Sequence, residues 1–219
     1  MTTVNELTQK YYSSIDYRNL REETKKHYQY LLCTLMDTEI DNKQIGKINY
    51  RDVSSKRAKL AYDTWCERGI SFANHVLSAS SILFNYALRM EHINLNPFTT
   101  VRRRTTERRK TVWCRGDVKK FLDTAYSDFS TRNIGLIAHM AYEWCQRLGD
   151  MRLLTWDAID FENATVFIEQ SKRKAEVHLP IEEDLLEMLK QQEQDFGFQP
   201  YVAPRPNAIN GEYKPYTLA

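Results

Sequence analysis

Apolar residues in the first part of the chain recur every three to four positions, the period of an amphipathic helix. Val4, Leu7, Tyr11 and Ile15 form one series, and Tyr28, Leu31, Leu32 and Leu35 form a second behind Arg21-Glu22-Glu23. A third carries Val53, Leu60, Ala61 and Trp65, with Asp52 as its expected cap and Gly69 as its stop. A fourth, opened by Ser71, places Ala73, Val76, Leu77, Ser80, Leu83, Phe84, Ala87 and Leu88 on one face. Asn96-Pro97-Phe98 closes the region, because a residue before proline disfavours helix. Four such helices make a compact helical bundle.

The pattern then changes. Helices are expected from Arg115 or Gly116 to about Tyr126 and from Asn133 to about Cys145, the second with Ile134, Ile137, Ala138 and Ala141 inward. A short helix is expected near Gly149–Leu154. The period drops to two over Ala164–Ile168 and Glu176–Pro180, two strands joined by a hairpin tip at Gln170–Ala175. Glu182–Gln194 returns to helix, with Leu185, Leu186 and Leu189 on one face. The tail from Phe196 has no long periodic segment. The expected fold class is mainly α with a small β-hairpin or sheet, divided as a helical domain 1–98, a linker 99–112 and a mixed domain 113–219.

Composition narrows the function classes. Only 7 of 219 residues are glycine, which argues against Gly-rich phosphate loops and turn-dense all-β folds. No apolar run approaches the ~18 residues of a membrane span. The opening MTTVNELTQKYY has no apolar signal core, so a cytoplasmic protein is expected. Cys33, Cys66, Cys114 and Cys145 form no CxxC or Cys/His cluster, so they read as buried reduced thiols. No metal site and no cofactor are expected.

Net charge is +2, which hides a strong local bias. Residues 99–120 hold nine Lys and Arg against Glu107 and Asp117, a local net of +7. Arg102, Arg103, Arg104, Arg108, Arg109 and Lys110 make up its core. Such a concentration at a domain junction suits a polyanion, with a solvated linker as the alternative.

The segment Trp144-Cys145-Gln146-Arg147-Leu148-Gly149-Asp150 through Leu154, Trp156 and Ile159-Asp160 resembles the first signature box of the tyrosine recombinases, the phage integrase family. Its pattern is roughly T-G-x-R-x-G-E/D-x-x-x-L-x-W-x-D-I-D. Arginine, glycine, acid, Leu, Trp and Ile-Asp match in register, while Trp144-Cys145 stands where the family has Thr-Gly. Ile168-Glu169-Gln170-Ser171-Lys172 looks like the family's β-hairpin lysine. The helices ending in His92-Ile93-Asn94-Leu95-Asn96-Pro97-Phe98 look like its core-binding domain. The resemblance implies a SAM-like four-helix core-binding domain followed by an α+β catalytic domain, here truncated.

The resemblance also implies a chemistry. A tyrosine hydroxyl attacks a DNA phosphodiester, forming a 3′-phosphotyrosine and releasing a 5′-hydroxyl without metal or nucleotide cofactor. The first-box arginine, matching Arg147, grips two non-bridging oxygens of the transition state. A hairpin lysine protonates the leaving oxygen; it matches Lys172, with Lys174 as the runner-up. Asp150 is expected to buttress Arg147. Without the surrounding box, Arg147 would read as a surface residue paired with Asp150. Trp156 reads as a core anchor, and His139 and His178 as structural.

The family's second box, H-x-x-R, has no match anywhere in these 219 residues, and no histidine follows His178. Tyr201, Tyr213 and Tyr216 precede the place of that box, so none is assigned as nucleophile. The chain is therefore expected to be an integrase truncated inside its catalytic domain. Site-specific recombination or integration is the function implied by the family, through double-stranded DNA and self-association into a tetrameric synapse. A non-catalytic DNA-binding or regulatory protein is the alternative. Carriage by a phage or mobile element follows from the same resemblance.

Overall fold

The computed structural model describes residues 2–107 and 110–217, so Arg108 and Arg109 lie outside the described residues. The chain divides into two compact units, Met1–Arg109 and Lys110–Ala219.

The first unit is built from α1 (Val4–Tyr12), α2 (Ile15–Arg18), α3 (Glu22–Asp37), α4 (Ser55–Glu67) and α5 (Ile70–Arg89). Thr3 opens α1 with a reciprocal capping box. Its hydroxyl accepts from the Glu6 N–H at 3.2 Å, and the Glu6 carboxylate accepts from the Thr3 N–H at 3.0 Å. Between α3 and α4 lies a hairpin absent from the helical reading, β1 (Glu39–Ile40) and β2 (Lys43–Gln44). Asp41 and Asn42 form its two-residue turn, both at positive φ as a primed turn requires.

Helix starts differ from the expected ones. Asp52 ends a separate 3-10 turn, and Ser54 caps α4 through the Arg57 N–H. Gly69, at φ 129°, leads directly into α5, so the helix begins before Ser71. This reversal needs a backbone that only glycine adopts freely.

The core of this unit holds Leu7, Leu32, Leu35, Tyr62, Trp65, Leu83 and Phe84. Trp65 donates its indole N–H to Thr38 Oγ1 at 2.8 Å, so its polar atom is satisfied inside. Asn96 is buried and fully engaged. Its amide donates to Asn85 Oδ1 and the Ser81 carbonyl, and its oxygen accepts from the Phe98 N–H. Phe98 is thereby seated against Trp65 and Phe84.

The second unit contains α6 (Arg115–Tyr126), α7 (Phe129–Glu143), the single turn α8 (Leu148–Met151) and α9 (Glu183–Phe196). Strands β3 (Ile159–Asp160), β4 (Thr165–Glu169) and β5 (Glu176–Pro180) form one antiparallel sheet in that order. Val166 and Ile168 point from β4 into the core, and Thr165, Phe167 and Glu169 face away, as a period of two dictates. Gly135 lets α7 approach α6 closely, since a Cβ there would lie 2.7 Å from that of Ala125. The irregular tail is not loose. Asn133 donates to the Pro204 carbonyl, and the Gln192 amide reaches Asn133 Oδ1 and the Val202 carbonyl.

Several inward assignments turn outward. Ile15, Leu60, Leu88 and Ile134 are exposed, each at the edge of its helix's apolar arc. Ile134 instead lines an open apolar groove with Trp113, Phe121, Ile137, Leu148 and Tyr216. The thiols are free, but Cys33, Cys114 and Cys145 are exposed and Cys66 is half-buried, because each lies off the packed face of its segment. Among the described residues no helix is long and apolar enough to cross a membrane.

Candidate catalytic and nucleic-acid site

The second unit presents Arg147 at a sharp change of direction. α7 ends at Glu143, and Arg147 is the residue that caps α8. Between them Cys145 adopts φ 51°, the left-handed region. This is the position where the first-box pattern has glycine, so the turn is kept without it. A non-glycine residue there carries a steric cost of about 1 kcal/mol or more. Cys145 gains little in return: its exposed thiol makes one long contact, 3.8 Å to the Tyr142 carbonyl. Cys145→Gly is therefore expected to raise the unfolding free energy by about 0.5–1 kcal/mol, measured by urea denaturation. A destabilised variant would show that the left-handed turn is not under strain.

The turn fixes the residues around Arg147. Its carbonyl accepts from the Asp150 and Met151 N–H groups. Asp150 is 8% exposed, and its Oδ2 lies 3.8 Å from Arg147 Nη1 with no hydrogen bond of its own. The Arg147 side chain remains 44% exposed, so one end faces a buried carboxylate while the guanidinium stays accessible. Trp156 packs half-buried against the second core, beside Phe161.

A contact invisible to sequence reading joins this turn to the hairpin. Gln146, next to Arg147, accepts at Oε1 from the Gln170 amide at 2.8 Å, and its own amide donates to the Trp144 carbonyl. Gln170 opens the hairpin tip and donates its N–H to the Ala175 carbonyl. The two glutamines thus tie the base of the Lys172 hairpin to the Arg147 turn. Their signal in the sequence is only that each adjoins a motif residue.

The two lysines of the tip differ. Lys174 sits at φ 55° and pairs with Glu169 at 2.6 Å. Lys172 is exposed and has no ion pair among the described residues. His178 is exposed on β5 and its ring is tilted against that of Phe167, at 4.8 Å between ring centres. His139 is buried on α7, where burial lowers its pKa. Tyr216 has a buried hydroxyl with no partner, and burial raises its pKa.

The basic stretch falls on both sides of the boundary between the units. In the first unit, Arg104 is tied down. Its N–H donates to Tyr62 Oη at 2.7 Å, its carbonyl accepts from Asn74, and its guanidinium pairs with Asp63 at 2.8 Å. Arg103 donates to Ser78 Oγ at 2.9 Å, and Arg102 is exposed. In the second unit Lys110 is exposed.

Residues 115–201 match the profile of the phage integrase family, a stretch that runs from the start of α6 past α9 and includes the Arg147 turn and the hairpin. The match covers about two-fifths of the chain, so it is this stretch that is similar to the phage integrase family. The fold is similar to that of solved integrases. A lambda integrase dimer bound to a COC′ core site superposes with a TM-score of 0.77 at 19% identity, covering 98% of this chain and 59% of that one. A lambda integrase tetramer bound to a Holliday junction gives 0.80 at 19% identity, covering 99% and 62%. The Tn1549 transposon integrase in complex with a circular intermediate DNA gives 0.74 at 18%, covering 100% and 72%. The chain thus spans about three-fifths of the length of the lambda integrase chains it matches. No curated protein sequence matches it.

Proposed function

We propose that this chain binds double-stranded DNA and contributes the first catalytic box of a site-specific recombinase or integrase. Arg147 contacts the scissile phosphate, and Lys172 protonates the leaving 5′-oxygen. The observation that carries this reading is the Arg147 turn: a left-handed residue, an accessible guanidinium and a buried carboxylate behind it, within the segment that matches the family. A planar guanidinium preorganised in this way binds two phosphate oxygens at once, and such fixed cations stabilise charge that grows in the transition state. Lys174 is engaged by Glu169, which favours Lys172 as the proton donor. Asp150 orients Arg147. Arg102, Arg103 and Lys110, together with Arg108 and Arg109 outside the described residues, track phosphates.

Lambda integrase as a dimer on a core site and as a tetramer on a Holliday junction supports duplex DNA as the ligand and self-association on it. The place of action is the cytoplasm of a cell carrying a phage or mobile element. Since no H-x-x-R match occurs in these residues, the activity proposed for this polypeptide is binding. Strand cleavage belongs to a protein that joins it to the second box and a tyrosine.

A gel-shift titration tests this. The chain is expected to retard duplex DNA with an affinity that falls steeply with salt, and to leave no covalent adduct on a nicked suicide duplex. Absence of any shift at low salt overturns the DNA-binding reading. An adduct would assign the nucleophile to a tyrosine within these residues.

A further inference from the structure

We propose that His139, Glu143 and Asp184 form a binding site for a divalent transition cation of the Zn2+ class, clamping the end of α7 to the start of α9. His139 and Glu143 are one helical turn apart on α7, and Asp184 lies in the first turn of α9. One ligand atom from each falls within 4.8 Å of the others.

The histidine is the anchor. It is 6% exposed, and its Nδ1 lies 2.9 Å from Tyr126 Oη. Its Nε2 is 3.7 Å from Glu143 Oε2 and 3.7 Å from Asp184 Oδ2, beyond hydrogen-bond length from both. Among the described residues Nε2 makes no hydrogen bond. A ring nitrogen of a buried histidine is thus aimed between two carboxylate oxygens that it does not bond.

One oxygen of each carboxylate is held by a backbone N–H. Glu143 Oε1 accepts from the Glu182 N–H at 2.8 Å, and Asp184 Oδ1 from the Leu185 N–H at 2.9 Å. The opposite oxygen of each carboxylate, Oε2 and Oδ2, is the one turned toward His139. Zn–N and Zn–O bonds of about 2.0–2.2 Å place tetrahedral ligand atoms about 3.3–3.5 Å apart. Closing to that spacing needs a small contraction, which the 79% exposed Asp184 side chain supplies.

Tyr126 completes the arrangement. When Nδ1–H donates to Tyr126 Oη, the Nε2 lone pair points at the carboxylates, the form of imidazole that binds a metal. Charge argues the same way. Among the described residues no Lys or Arg pairs with Glu143 or Asp184, whose nearest cationic partner is His139 itself. One nitrogen and two oxygens with a fourth position open to water suit Zn2+ over Ca2+ or Mg2+. Three residues separate Glu143 from Arg147, so the clamp would hold the frame from which the Arg147 turn departs.

The test is titration of the whole chain with ZnCl2 after chelation, by calorimetry, followed by Co2+ absorption. Asp184→Asn is the deciding variant, because its exposed side chain can change without unfolding the protein. One Zn2+ per chain is expected, with affinity lower by about tenfold or more in Asp184→Asn and Glu143→Gln, and also in Tyr126→Phe. Circular dichroism confirms the folded state of each variant. The Co2+ spectrum should lack the thiolate charge-transfer band that binding at exposed cysteines would give. Equal affinity in Asp184→Asn, a thiolate band, or no binding overturns the proposal.

Discussion

Arg147→Ala, in a protein that continues this chain through an H-x-x-R box and a tyrosine, is expected to reduce strand cleavage by about 10²–10³-fold, while DNA affinity changes little. The magnitude is that of removing one preorganised donor from a developing oxyanion, roughly 2.7–4 kcal/mol. The asymmetry between cleavage and binding follows from when the contact matters. Ground-state affinity is spread over many phosphates along the basic stretch, so one fewer contact is a small loss. On the proposed reading the transition state concentrates charge at the one phosphate that Arg147 contacts, its guanidinium positioned by the cap of α8 and by Asp150 at 3.8 Å. Arg147→Lys should recover only a small part of the rate, because an ammonium cannot span two oxygens. A nicked suicide duplex reads cleavage as covalent adduct, and a gel shift on the same duplex reads binding. Adduct formation near the parent rate in Arg147→Ala would remove Arg147 from the chemistry.

Much of this site was legible in sequence because its residues lie close together in the chain. The order arginine, glycine, acid, Leu, Trp from Arg147 to Trp156 encodes a cap, a single helical turn and a core anchor, and the structure contains each. The helical period likewise found Leu31, Leu32, Leu35, Leu83 and Phe84, which are buried. It failed at Ile15, Leu60, Leu88 and Ile134, where periodicity cannot tell the centre of an apolar arc from its edge. The hairpin at Glu39–Gln44 went unread because two-residue strands show no alternation, although Asp41-Asn42 is a turn signal. Long-range contacts were out of reach altogether. Gln146 and Gln170 meet only because β4 runs back past the Arg147 turn, and Asn133 and Gln192 secure a tail that has no pattern of its own. Cys145 is the instructive case. The residue type argued against a glycine-like turn, yet the helices on either side hold it at φ 51°.

Replacing Arg102 and Arg103 together with alanine is expected to weaken binding to duplexes of every sequence and to flatten its salt dependence. Each lost phosphate contact lowers the slope of log K against log salt by about 0.9, so the pair should lower it by roughly 1.8. The loss should be uniform across sequences, because phosphate contacts carry no base information. Arg104 is different, and the structure says why. Its guanidinium is paired with Asp63, which also lies 3.6 Å from Lys59, and its backbone is pinned by Tyr62 and Asn74. Arg104→Ala alone should therefore change the slope less than Arg102→Ala, whose side chain is exposed and unpaired among the described residues. The converse substitution sharpens the argument. Asp63→Asn frees Arg104 for phosphate and should steepen the slope by up to about 0.9, with tighter binding at low salt. Competition titrations at several salt concentrations separate these outcomes. A slope unchanged in the Arg102, Arg103 double variant would make this segment a solvated connector, and one unchanged in Asp63→Asn would show that Arg104 faces no phosphate.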